Sequence, residues 1–111
     1  MREKFEEMLE QLEAGAFVYV EPSSAMLEFN EYLAASGYSI PRLEVVKVQG
    51  HRTGFRMDFF FLANKDYEEE WQILLDPQRS AANIREIVQG ALSEGGEYRY
   101  LVWAEIPPAE I

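Results

Sequence analysis

The sequence predicts an α+β domain: a mainly antiparallel five-stranded sheet with three helices, in the order α-β-α-β-β-β-α-β. Three observations carry this. Apolar residues recur with helical spacing in three segments and with alternating or continuous strand-like patterns in five others. Short turn-forming stretches join the strands expected between residues 43 and 75, which favours an antiparallel meander. The 111 residues, 48% apolar and 14% aromatic, suffice to close one core. The chain is read as a single domain, residues 1–111, without linker, internal repeat or low-complexity segment.

Each element has a local reason. In residues 2–14, Phe5, Met8, Leu9 and Leu12 form one stripe at helical spacing, and Gly15 can end the helix. Residues 16–21, around Phe17-Val18-Tyr19-Val20, are apolar on both faces, as expected of an interior strand. Pro22-Ser23-Ser24 predicts a helix over 24–36 with a serine N-cap, an inner stripe of Met26, Phe29 and Leu33, and Gly37 at its C-terminus. Residues 38–41 are expected to connect it to a Val-rich strand over 43–49.

Gly50 and Gly54 bound a loop suited to a hairpin, returning as a strand over 55–62. Alternation would set Phe55, Met57, Phe59 and Phe61 on one face of it, and Arg56, Asp58, Phe60 and Leu62 on the other. A third strand is expected over 70–75, with Trp71, Ile73 and Leu75 together. Asp76-Pro77 then stops the strand and opens a helix over 78–93, striped by Ala81, Ile84, Ile87, Val88 and Ala91. Gly95-Gly96 ends the helix. Tyr98 to Ile106 alternates as the last strand, closed by Pro107-Pro108, with a frayed tail beyond. The β-α-β-β…α-β portion admits a ferredoxin-like variant built on split βαβ units, with one extra strand and a leading helix.

Twenty acidic residues against ten basic ones give a net charge of -10. Such a chain repels nucleic-acid phosphates, so no nucleic-acid partner is expected. The charge is uneven: -6 over residues 1–31, +2 over 32–60, -4 over 61–76 and -2 over 77–111. No apolar run approaches the roughly 20 residues of a membrane helix, and the N-terminus does not resemble a leader. No membrane partner is expected. The sequence holds no cysteine, which excludes disulfides, thiolate metal sites and cysteine nucleophiles and suits a reducing, cytoplasmic setting.

Little in the sequence points to catalysis. His51 is the only histidine and falls in a predicted loop, with no spacing that suggests an orienting partner. Asp66-Tyr67-Glu68-Glu69-Glu70 is the densest acidic run, yet it lacks calcium-loop spacing and reads as a solvated turn. Phosphate-binding glycine loops, nucleophile elbows and zinc-protease motifs are absent. No cofactor or metal is expected.

Three groups of candidate binding residues remain. On the first helix, like charges four residues apart, such as Glu6 and Glu10, oppose helix formation by roughly 0.2–0.5 kcal/mol per pair. Glu10 and Glu13 also lie toward the negative end of the helix dipole. Glu6, Glu10 and Glu13 are therefore candidates for a basic protein partner, against the plainer reading of a solvated face. Phe55, Phe59, Phe61, Trp71, Tyr98 and Tyr100 read as core. On the opposite strand faces, Phe60, Leu62, Leu74, Leu101 and Trp103 would form an exposed apolar patch if helices cover one side only. Phe60, Leu101 and Trp103 are the candidate anchors, Trp103 foremost. Arg56, Asp58 and Arg99 could line a pocket for an anionic ligand, against the plainer reading of an ionic ladder.

The expected function is a small acidic intracellular protein-binding module without catalysis: an adaptor, regulator, inhibitor or chaperone-like protein. A homodimer is admitted. The alternatives are a dimeric small-ligand-binding regulatory domain and an acidic nucleic-acid mimic.

Overall fold

The computed structural model describes residues 2–107. Pro108 of the expected strand stop and the tail expected beyond it lie outside them. Over the described residues the fold is α+β, with a five-stranded antiparallel sheet and four helices. The elements are α1 (Arg2–Glu13), β1 (Val18–Val20), α2 (Ser23–Ala35), β2 (Ser39–Gln49), β3 (Arg52–Phe55), a 3-10 turn over Met57–Phe59, β4 (Phe61–Leu62), α3 (Glu68–Leu74), α4 (Pro77–Glu94) and β5 (Glu97–Glu105).

The sheet runs β1-β5-β2-β3, and β4 also pairs with β2. All pairings are antiparallel. The β1-α2-β2 segment is thus a split βαβ unit, because β5 lies between its two strands. β4 and β5 likewise flank β2 around α3 and α4.

One sheet face is closed by helices. Val18, Val20, Leu43, Val45, Tyr98, Tyr100 and Val102 join one core with Phe5, Met8 and Leu12 of α1, Met26, Phe29 and Leu33 of α2, Leu74 of α3, and Ile84, Val88 and Ala91 of α4. The helical stripes read from periodicity are the ones buried. Buried polar groups stitch the layers together. Ser23 Oγ and Tyr100 Oη share a 2.6 Å hydrogen bond. The Asn30 amide donates to the Ala81 carbonyl at 2.9 Å. Ser39 Oγ donates to the Leu74 carbonyl at 2.8 Å, and Ser80 Oγ accepts from the Ile40 amide at 3.0 Å.

Several expectations are corrected. β1 is an edge strand, not an interior one: Val18 and Val20 enter the core, while Tyr19 is 63% exposed. The N-cap of α2 is Pro22, without a side-chain cap; Ser23 is already helical and spends its hydroxyl on Tyr100. β2 begins at Ser39 rather than Leu43, and a register irregularity between Ser39 and Arg42 accommodates Pro41, which has no amide hydrogen to give. The hairpin turn is shorter than expected, because Arg52–Phe55 is already strand.

The strand expected over 55–62 is broken. Residues 57–59 make a 3-10 turn, and Phe55 and Met57 are exposed. Arg56 leaves the strand pattern to grip carboxylates, and Phe59 lies against the α-carbon of Gly90, where an added methyl group would come within 3.2 Å of its ring. The strand expected over 70–75 is the helix α3. Glu68, Glu69 and Glu70 occupy its first turn, where the helix dipole favours negative charge. Leu74 consequently points into the core and is fully buried, so it does not belong to a second sheet face.

α4 follows expectation most closely. The Asp76 carboxylate accepts from the Gln78 amide at 2.9 Å, and Pro77 sits in the first turn.

Candidate functional site

Among the described residues, no helix covers the second sheet face. Strand alternation sends Arg42, Glu44, Val46 and Val48 of β2, and Glu97, Arg99, Leu101 and Trp103 of β5, away from the core. Register fixes their neighbours. Trp103 lies opposite Arg42, Leu101 opposite Glu44, Arg99 opposite Val46, and Glu97 opposite Val48. Tyr19 joins Leu101 from β1; Phe55 joins Val46 from β3; Leu62 joins Arg42 from β4.

The result is an apolar band across the sheet with charged residues set into it. Phe17 contacts both Tyr19 and Trp103, with ring centroids 5.5 and 5.0 Å apart. The Arg42 guanidinium lies 4.7 Å over the Trp103 ring and 3.4 Å from Glu44. At the other margin Phe55 meets Phe60 edge-on at 5.9 Å. A groove of about 300 Å³, lined by Phe60, Phe61, Leu62, Tyr67 and Glu70, continues the band past β4. Phe17 and Phe55 remain 41% and 42% exposed.

Of the residues singled out from sequence, Leu101 and Trp103 share this face on β5, and Phe60 meets it at the opposite margin through Phe55, next to Leu62. Phe17, Tyr19, Val46, Val48 and Phe55 belong to it as well, and sequence reasoning misses them. The signal for Tyr19 is present, as an alternation between two valines, but the same apolar run also reads as an interior strand. Phe55 is drawn to the core by an alternation that the turn at 57–59 interrupts.

The three ligand candidates do not form one site. Arg56 is satisfied by two carboxylates. Its Nε and Nη2 donate to Asp58 at 2.9 and 2.6 Å, and Nη1 and Nη2 donate to Glu94 at 2.5 and 2.9 Å. The guanidinium also lies 5.0 Å from the Phe59 ring centre. Tyr98 Oη donates to Glu94 at 2.8 Å. Arg56, and secondarily this phenol, hold the Glu94 carboxyl down at about 2. Asp58 is lowered by Arg56 as well. The cluster ties the 3-10 turn to the C-terminal end of α4. Arg99 lies on the helix-free face, where its Nε donates to Glu21 at 2.8 Å.

Glu6, Glu10 and Glu13 are exposed on α1, on the helical side. Glu13 accepts from the Tyr38 hydroxyl at 2.7 Å, which raises the tyrosine's pKa. Tyr38 and Glu13 line a groove of about 330 Å³ with Glu105, whose carboxyl burial pushes up. His51 is exposed in the β2–β3 turn. Among the described residues, no three His, Asp or Glu side chains gather as a metal site. No helix among them is long and apolar enough to cross a membrane.

Comparison with known proteins finds no matching family model, no similar curated protein and no similar solved structure. A functional reading of the chain therefore rests on its own geometry.

Proposed function

We propose that the chain is a non-catalytic protein-binding module that docks through its helix-free sheet face. One observation carries the reading: a continuous band from Phe17 and Tyr19 through Trp103, Leu101 and Val46 to Phe55 and Phe60, none of them in the core cluster. Phe17, Tyr19 and Phe55 of this band are exposed, and Trp103, Leu101, Val46 and Phe60 are half-buried; apolar surface left open to solvent in this way marks interaction sites when it is contiguous. Trp103 has the composition of a binding hot spot: its ring is covered by Arg42, which pairs with Glu44, and flanked by Phe17.

The acidic helical side has a different role in this reading. Glu6, Glu10 and Glu13 steer a basic partner at long range and contribute little once it is bound. A cytoplasmic setting belongs to the same proposal and is supported by the cysteine-free sequence. The ligand-binding alternative has less support, because Arg56 already meets two carboxylates.

The test is retention of protein from an extract of the source cells on immobilised chain, at low and high salt. Retention that survives high salt and is lost on Trp103→Glu is the expected result. Reversing Glu6, Glu10 and Glu13 to Lys should weaken capture at low salt only. Retention indifferent to Trp103→Glu, or abolished at all salts by the helix reversals alone, would overturn the proposal.

A further inference from the structure

From the lining of the groove between the ends of α1 and β5, we infer that it receives a lysine or arginine side chain of the partner protein, with Glu105 as counter-ion. This rests on the docking role proposed above and adds one specific contact to it.

The groove holds about 330 Å³ and is lined by Leu12, Glu13, Tyr38, Ala104, Glu105 and Ile106. Three of these are aliphatic, two are carboxylates, one is a half-buried phenol and none is basic. Ile106 is 70% exposed, so the aliphatic wall is open to a ligand. A lysine or arginine suits such a lining, because its methylene stem lies along apolar surface while its charged head reaches a polar group. A hard metal ion suits it poorly: it takes several oxygen ligands and gains nothing from the aliphatic wall.

One of the two carboxylates lacks compensation. Glu13 accepts from the Tyr38 hydroxyl at 2.7 Å. Glu105 has no equivalent donor: burial alone pushes its carboxyl up, and no charge or hydrogen bond among the described residues draws it down. Ser39 is its neighbour across the register, but Ser39 Oγ already donates to the Leu74 carbonyl. Leu12 and Glu13 belong to the last turn of α1, which holds no basic residue. The negative end of that helix dipole therefore adds to the two carboxylates. An uncharged side chain seated here would desolvate Glu105 further, and an anionic one would be repelled. A cation relieves both costs.

The groove is also within reach of the docking face. Along β5, Leu101, Trp103 and Glu105 alternate to the helix-free side, whereas Ala104 and Ile106 turn to the helical side. Glu105 follows Trp103 by two residues, about 7 Å along the strand. A partner seated on Trp103 can pass one long side chain over the end of the sheet. A basic partner is the kind that a net charge of -10 attracts.

An NMR titration of the purified chain tests this with two probes. One is Nα-acetyl-lysine methylamide. The other is Nα-acetyl-norleucine methylamide, which keeps the stem and lacks the ammonium. The lysine probe should shift the Tyr38, Glu105 and Ile106 amides saturably, and the norleucine probe should not. Saturation should lower the Glu105 carboxyl pKa, and Glu105→Gln should raise the dissociation constant at least about threefold. The amide spectrum shows whether Glu105→Gln folds; if it does not, the contrast between the two probes on the parent chain decides. No saturable shift, equal shifts from both probes, or shifts spread over the outer residues of α1 and indifferent to Glu105→Gln would overturn the inference. Such a failure with Trp103-dependent retention intact removes the groove contact alone. A bound lysine probe without Trp103-dependent retention overturns the docking role, and with it the identity of the side chain's bearer.

Discussion

Ser23→Ala removes the hydrogen-bond partner of a phenol that is wholly shielded from solvent. Tyr100 is 0% exposed and Ser23 is 6% exposed, and their oxygens lie 2.6 Å apart. Burial raises the Tyr100 pKa, so the phenol stays neutral and needs a partner as a neutral hydroxyl. Stripping that partner leaves a buried polar group unpaired, which costs about 1–3 kcal/mol. Tyr100→Phe leaves the Ser23 hydroxyl behind instead. Ser23 sits in the first turn of α2 and keeps slight access to water, so about 1 kcal/mol is expected. The double variant removes both groups and should cost less than the sum, with a coupling of about 1 kcal/mol. Urea unfolding of the four proteins, with an unchanged m-value, supplies the cycle. Additive single costs, with a coupling below about 0.3 kcal/mol, would refute the claim that this bond joins α2 to β5.

Further expectations come from the same packing. Leu43→Ala, at a fully buried position on β2, should cost about 2–5 kcal/mol in the same denaturation assay. Arg56→Met should return the Glu94 carboxyl from about 2 toward the ordinary range, as followed by NMR pH titration. Because Glu94 is depressed in the folded state, its stabilising contribution is present above its unfolded pKa and is lost as pH falls from about 4.5 through about 2. The acid-side loss of stability should therefore be shallower in Arg56→Met than in the parent. Gly37→Ala, at φ +86°, should destabilise by about 1 kcal/mol as measured by thermal unfolding.

The fold class is legible because most elements carry their own periodicity. The stripes of α1, α2 and α4 and the alternation of β5 each identify a buried face without tertiary information. The Asp76-Pro77 entry to α4 is legible from capping chemistry alone. α3 is not, because Trp71, Ile73 and Leu75 alternate while Trp71 and Leu74 keep helical spacing; a short apolar run fits both periods. The break at Arg56 is hidden for another reason. Its carboxylate partner Glu94 lies 38 residues away, and no glycine or proline marks the turn.

The binding face is legible in part, by the same rule. Leu101 and Trp103 emerge from the alternation of β5 once one face is known to be covered. Phe17 and Tyr19 require knowing that β1 lies at an edge, which is a property of the strand order. Arg56, Asp58 and Arg99 look alike as charges on strands. Only the fold separates an internal clasp at α4 from an ion pair on the helix-free face.

The central claim is that the helix-free sheet face is the docking surface. Carbene footprinting tests it most directly, comparing side-chain labelling of the dilute purified chain with that of the chain in an extract of its own cells. Protection of Leu101, Trp103, Tyr19 and Phe55, with the outer residues of α1 still labelled, is the result predicted. Protection confined to Glu6, Glu10 and Glu13, with Trp103 labelled as strongly as before, would contradict it.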